Sequence, residues 1–154
     1  MLSFDRLLAS IDDADLLRRS DIAGWTAVAI MHDWIDHVLG EDRPDRRRRA
    51  VDLLFTEDCL LVEPGVGLKG RRAIDRWAEQ LLAGHSSWTF RPSGSVAAHN
   101  EMACLAWTFG PPGRPSLATG IDFALLDGER IRALYRFPTP STAGRQDQGA
   151  WTRV

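Results

Sequence analysis

Apolar positions recur with a helical period through most of the first half of the chain and with a period near two through most of the second. Phe4, Leu7, Leu8, Ile11, Leu16 and Leu17 predict an amphipathic helix over residues 3–17. Ser20 is a candidate cap for a second helix over about 21–39, ended by Gly40. Ile22, Trp25, Val28, Ile30, Met31, Trp34, Ile35, Val38 and Leu39 spread around most of its circumference, as in a helix buried on most sides. Pro44 opens a third, short helix to about residue 55. The run 59–64 is a short strand stopped by Pro64, and 65–70 a loop. Ala73, Ile74, Trp77, Leu81 and Leu82 line one side of a helix over 71–84. From there the pattern alternates. Residues 88–100, 101–110, 116–126 and 130–137 read as consecutive antiparallel strands, with turns at Asn100-Glu101, 111–115 and Asp127-Gly128. Helices followed by strands predict an α+β domain with helices packed on one face of a curved antiparallel sheet. The chain divides into an N-terminal helix (1–19), a domain over 20–138 and a polar tail over 139–154, in which Trp151 is the one large apolar group.

The last two strands hold an acid out of place: Asp122 stands between Ile121 and Phe123. With Asp127-Gly128 as a two-residue turn, Asp122 faces Ala133, and side chains alternate faces along each strand. One face then carries Ala118, Gly120, Asp122, Ala124, Leu126, Ile131, Ala133, Tyr135 and Phe137. The other carries Thr119, Ile121, Phe123 and Leu125 beside Arg130, Arg132, Leu134 and Arg136. The arginines mark the outer face, so Asp122 points inward. Its neighbours are small where a packed core would use Leu or Ile, which predicts a ligand cavity. The alternative is a buried acid satisfied by a local tyrosine or a tryptophan N–H. Tyr135, one diagonal step across the hairpin, is the expected hydroxyl partner.

Length and composition place the chain among single-domain globular proteins: 154 residues, 44% hydrophobic and 26% charged. A net charge of −2 argues against nucleic-acid binding. Lys69 is the sole lysine, and the Arg46–Arg49 run reads as a solvated helix face. Cys59 and Cys104 lack CxxC spacing and read as buried thiols. Neither a signal peptide nor a membrane-spanning run is legible, which predicts a cytoplasmic protein.

Further candidates carry polar chemistry. Glu63 shares strand parity with Cys59 and Leu61. If that face is inward, Glu63 and Asp122 are two acids at one cavity, a pairing that can divide into base and acid; otherwise Glu63 is a solvated acid at a strand end. His32 lies seven residues from both Trp25 and Leu39, which predicts a shared buried face; it is either a pocket group or a core histidine. The His32–Asp36 and Asp33–His37 pairs fall on different helix faces, so no metal site is expected. Trp107 alternates with Leu105 and Phe109, and Trp25, Trp77 and Trp88 read as core, with Trp25 also a candidate pocket residue. No glycine-rich nucleotide loop or nucleophile elbow is present.

Two stretches carry a resemblance. "LFTEDCLLVEPGVGLKGRRAI" (Leu54 to Ile74) and "TGIDFALLDGERIRALYRF" (Thr119 to Phe137) resemble, in order and spacing, passages of the nuclear-transport-factor-2-like (cystatin-like) superfamily. The likeness is to its ketosteroid-isomerase and SnoaL-type polyketide-cyclase branch, over about Ser20 to Pro138. It implies a cone: a curved sheet wrapped by three to four helices around a pocket, often dimeric through the sheet's outer face. It implies catalytic roles for Glu63, at the position of the isomerase base, and Asp122, at the position of the oxyanion-hole acid or the cyclase acid/base. Trp34 falls nearest the isomerase's helix tyrosine, and an indole N–H donates but is no acid. This departure, and Glu for Asp at the base position, speak against steroid isomerisation itself.

The expectation is a homodimer without cofactor or metal that binds a small, largely apolar carbonyl compound. It would act as an acid/base isomerase or cyclase through Asp122 and Glu63, with Tyr135, Trp34, His32, Trp107 and Trp25 lining the pocket. The alternatives are a non-catalytic ligand-binding or dimerisation module, and an epoxide hydrolase working by similar acid/base logic.

Overall fold

The computed structural model describes residues 26–139. The helix expected over 3–17, Trp25 and the tail beyond Thr139 lie outside the described residues.

Helix α1 occupies residues 26–33 and runs on as a π-helical segment, Trp34–Leu39. Gly40 follows it because a Cβ there would press against the carbonyl oxygen of Asp36. Helix α2 (Pro44–Leu54) has proline in its first turn, where the missing N–H costs nothing. It passes directly into strand β1 (Phe55–Glu63). The stretch read as a loop after Pro64 is instead a hairpin arm, β2 (Val66–Lys69), pairing antiparallel to β1 from Glu63↔Val66 to Leu60↔Lys69. Gly65, with φ of 77°, allows the tight turn between them. Helix α3 (Arg71–Ala83) is anchored at its start, where Arg71 donates from Nε and Nη2 to the carbonyl of Phe55 at 2.9 and 2.7 Å.

The strand expected over 88–100 is two: β3 (Thr89–Pro92) and β4 (Ala97–His99). Both pair with β5 (Met102–Gly110), and the segment between them contains Gly94 in a positive-φ conformation. Strands β6 (Ala118–Asp127) and β7 (Arg130–Thr139) complete the sheet. Its order is β2-β1-β7-β6-β5-β3, with β4 beside β5. The sheet is curved and open at both edges. It is mixed rather than wholly antiparallel, because β1 lies parallel to β7. That parallel pairing brings residues from the middle of the chain beside the last described strand, a juxtaposition local patterns do not encode.

One face of the sheet is covered by the helices. Met31, Trp34, Ile35, Val38 and Leu39 from α1, Val51 from α2, and Ile74, Trp77 and Ala78 from α3 bury themselves against Phe55, Leu61, Leu105, Trp107, Phe109, Ile131 and Leu134. The Arg46–Arg49 run is not a wholly solvated face. Arg47 is buried, its Nε donating to Asp75 at 3.0 Å, while Arg48 reaches the other oxygen of Asp75 at 3.3 Å. This ion pair clamps α2 to α3.

Candidate functional site

The β6–β7 hairpin departs from the expected register. Asp127 pairs with Arg130, so Gly128 and Glu129 occupy the turn. The register then slips: Leu126 faces Ile131, but Leu125 faces Ala133, leaving Arg132 as a bulged residue. A slip of one residue exchanges the faces of every side chain beyond it. Asp122 does point inward, as expected, and is 0% exposed. Its cross-strand partner, however, is Arg136 rather than Ala133. Tyr135 lies opposite Phe123 on the outer face and is half-buried there, so it is not the partner of Asp122. Phe137 likewise faces outward, and Leu134 faces inward.

Arg136 is 3% exposed and forms an ion pair with Asp122, Nε to Oδ1, at 3.0 Å. Two indoles complete the carboxylate's shell. Trp107 of β5 donates from Nε1 to Oδ1 at 2.7 Å, and Trp34 of the π-helical segment donates from Nε1 to Oδ2 at 2.8 Å. Indole and guanidinium nitrogens here only donate, so Asp122 is held as an acceptor by three donors. One of the small neighbours that suggested empty space, Gly120, has a different cause. A Cβ on Gly120 would collide with Cζ2 of Trp107, so the glycine makes room for a ring.

The guanidinium of Arg136 lies among four aromatic rings. Its Cζ is 5.0 Å from the ring centres of Trp77 and Trp107, 5.4 Å from Phe90 and 5.7 Å from Trp34. Each is within range of a cation–π attraction, which strengthens when the charge is desolvated. Yet Nη2 of Arg136 is buried and has no hydrogen-bond partner among the described residues. A buried donor left unused is uncommon enough to call for a cause.

Glu63 stands on the same face. Leu61 pairs with Leu134 across the parallel β1–β7 ladder, and both are fully buried. The paired register ends one step later at Val62↔Tyr135, and Glu63 and Arg136 follow it, each by alternation on the same face as Leu61 and Leu134. Glu63 is half-buried, and its Oε1 accepts from Nε1 of Trp77 at 3.1 Å. Among the described residues, Oε2 has no partner, and Glu63 forms no ion pair with Arg136. Glu63, Arg136 and Asp122 thus form an acid–base–acid row across three adjacent strands. Trp77 presents its edge to Glu63 and its face to Arg136.

His32 is half-buried and makes no hydrogen bond to this group. Its expected alignment with Leu39 assumed α-helical spacing, which the π-helical turn breaks. The histidine–aspartate pairs gather no third ligand: no group of three His, Cys, Asp or Glu side chains among the described residues is placed to hold a metal. Two surface grooves lie away from the row. One, of about 440 Å³, runs beside His99, Met102, Cys104 and Arg132; the other, of about 460 Å³, lies between α1 and α2 beside His37, Arg49 and Leu53. Cys59 and Cys104 are free thiols, the first buried and the second half-buried. Burial pushes the Cys59 thiol up, against the opposing pull of Arg71.

Arg136 is the residue that sequence reasoning missed. Its signal was Leu134, the single aliphatic residue in a set otherwise made of arginines. An odd apolar side chain in an outward set marks a change of phase.

A helix-covered, curved open sheet with a charged row on its concave face defines the class: a cone-shaped α+β protein of nuclear-transport-factor-2-like fold. Residues 32–134 match the family defined by the SnoaL-like domain, and the chain belongs to that family. Solved structures agree on the fold. A presumed isomerase of the SnoaL-like family from Agrobacterium tumefaciens strain C58 superposes with a TM-score of 0.69 at 21% identity, covering 74% of this chain and 97% of that one. A presumed SnoaL-like polyketide cyclase from Jannaschia sp. CCS1 gives 0.61 at 10% identity, over 73% and 85% of the two chains. An epoxide hydrolase from M. tuberculosis, described as LEH-like, gives 0.55 at 13% identity, over 74% and 83%. At such identities the likeness establishes the fold alone. No curated protein matches the sequence.

Proposed function

We propose that this protein binds a small, largely apolar oxygen compound, a ketone or a related carbonyl, and performs cofactor-independent acid/base chemistry on it. The observation that carries this reading is the unused, buried Nη2–H of Arg136 on a sheet face it shares with Glu63, whose Oε2 has no partner among the described residues. A desolvated donor held in place before the substrate arrives stabilises negative charge developing on a carbonyl oxygen. A carboxylate on the neighbouring strand can take a proton from the adjacent carbon. Arg136 would bind the oxygen and Glu63 would act as base. Asp122, with its acceptor positions engaged, would fix the direction of Arg136 as a positioning residue. The aromatic rings supply an apolar surface. The same donor and base would suit opening of an epoxide by an activated water. The proposed unit is a homodimer formed through the outer sheet face.

The test is turnover and binding with a panel of aryl and cyclic ketones and epoxides. Glu63→Gln should abolish proton exchange at the carbon next to the carbonyl, read by deuterium incorporation, while ligand binding persists. Exchange unchanged in Glu63→Gln would remove Glu63 from the role of base.

A second reading is favoured by a specific observation. Four rings already surround Arg136 and three donors already satisfy Asp122, as in a structural core. On that reading the domain is a non-catalytic binding or dimerisation module, and no ketone reaches Arg136.

A further inference from the structure

We infer that Glu63 is a specificity-determining residue that makes the site select uncharged oxygen compounds and reject carboxylates. The inference rests on the reading of Arg136 as an oxygen-binding group and names the ligand class that follows from it. An arginine with an unused N–H is, taken alone, a carboxylate receptor, because its planar donors match a carboxylate's two oxygens. Here its surroundings reverse that preference. The charge of Arg136 is already balanced by Asp122 at 3.0 Å, and both side chains are almost wholly withdrawn from water. Glu63, one strand away on the same face, leaves the row with one negative charge in excess. No other charged side chain among the described residues bonds to Arg136, Asp122 or Glu63.

A carboxylate approaching Nη2 would meet a second carboxylate in a poorly screened setting, where repulsion between like charges is far stronger than in water. A ketone offers the same N–H an acceptor oxygen without adding charge. Access is set from the same side, because Glu63 is half-buried at the end of β1 while Arg136 and Asp122 are enclosed. Glu63 is therefore the outermost member of the row, and a ligand meets its charge first.

The experiment uses the full-length protein and a matched pair of probes, acetophenone and benzoate, which share a ring and differ in charge. Binding is read from the indole N–H resonances of Trp34, Trp77 and Trp107 in nitrogen-15 spectra, each of which reports on one bond of the row. Glu63→Gln keeps an oxygen able to accept from Trp77 while removing the charge, and unchanged Trp34 and Trp107 indole resonances before titration verify its fold, the Trp77 signal moving only with its altered acceptor. Acetophenone should perturb these signals in the native protein, and benzoate should not. In Glu63→Gln, benzoate should bind at least about tenfold more tightly than in the native protein, with acetophenone changed by less than about threefold. If acetophenone binds the native protein but benzoate gains nothing in Glu63→Gln, charge selection is refuted and the oxygen-binding reading stands. If neither probe moves the three indoles in either protein, the oxygen-binding reading itself fails and the selectivity falls with it.

Discussion

At the scale of single residues, the centre of the molecule is a charge pair held by tryptophans. Removing one member of a buried pair leaves the other uncompensated, which typically costs about 3–5 kcal/mol. Asp122→Asn is expected to lower unfolding free energy by about that amount in urea denaturation, since Arg136 would then lack its counter-ion. The double variant Asp122→Leu with Arg136→Met should recover much of the loss, because apolar side chains suit the four surrounding rings. A double variant as unstable as the single one would show that the pair contributes net stability. Gly120→Ala should cost about 1–3 kcal/mol, the range for forcing atoms into a packed site, and should shift the Trp107 indole resonance as that ring is displaced. The two thiols should differ in kind. Burial raises the Cys59 thiol above its usual range, so near neutral pH Cys104 should react with a maleimide well before Cys59 does. The sign for stability follows from that raised value. The folded state retains its proton where the unfolded chain has begun to lose it. The contribution of Cys59 is whole below the ordinary thiol range and is lost as pH rises through the raised folded value. Cys59→Ala should therefore flatten the alkaline fall in melting temperature.

Among the elements, the clamp between α2 and α3 is the most exposed to a single change. Asp75 receives Arg47 and Arg48 together, and Asp75→Ala would leave the buried Arg47 with only the longer contacts to the Glu41 carbonyl, 3.4 Å from its Nη1, and to Glu79, 3.5 Å from its Nη2. A loss of about 3 kcal/mol is expected, with helical circular dichroism falling before the sheet signal. Much of this architecture was legible in the sequence. Pro44, Gly40 and Gly84 bracket helices whose bounds fall within a residue or so of their punctuation. The alternation from Met102 onward marks the long strands correctly. What was not legible came from pairing. The bulge at Arg132 depends on the partner strand, and it moved Arg136 inward and Tyr135 outward. The π-helical turn depends on packing and turned His32 away from its expected line. The hairpin arm β2 exists because β1 offers it an edge, and its four residues carry too little pattern to announce themselves. Asp122 was expected inward because the arginines of the neighbouring strand were taken to mark the outer face, although the bulge turns one of them, Arg136, inward beside it; Glu63 was left open between an inward and a solvated position.

For the whole molecule, the outer sheet face leaves large apolar side chains exposed. Met102, Ile121 and Phe137 stand 47%, 40% and 55% exposed on it, beside Leu60 at 38%. Ile121 and Phe137 are cross-strand partners, and Phe123 meets Phe137 edge to face at 5.6 Å. Against the proposed homodimer, Phe137→Glu should convert the sedimentation coefficient from that of a dimer to that of a monomer without loss of secondary structure. A native protein that sediments as a monomer at micromolar concentration would rule the dimer out. The concave face carries the central claim: that Arg136 keeps one donor in reserve for a ligand oxygen rather than for the fold. The most direct test is a crystal structure of the protein with acetophenone bound. The carbonyl oxygen is expected within about 3.2 Å of Arg136 Nη2, the limit for an N–H···O bond, with Glu63 Oε2 facing the methyl carbon. Acetophenone found only in the surface grooves, with Arg136 Nη2 still enclosed by its four rings, would contradict it.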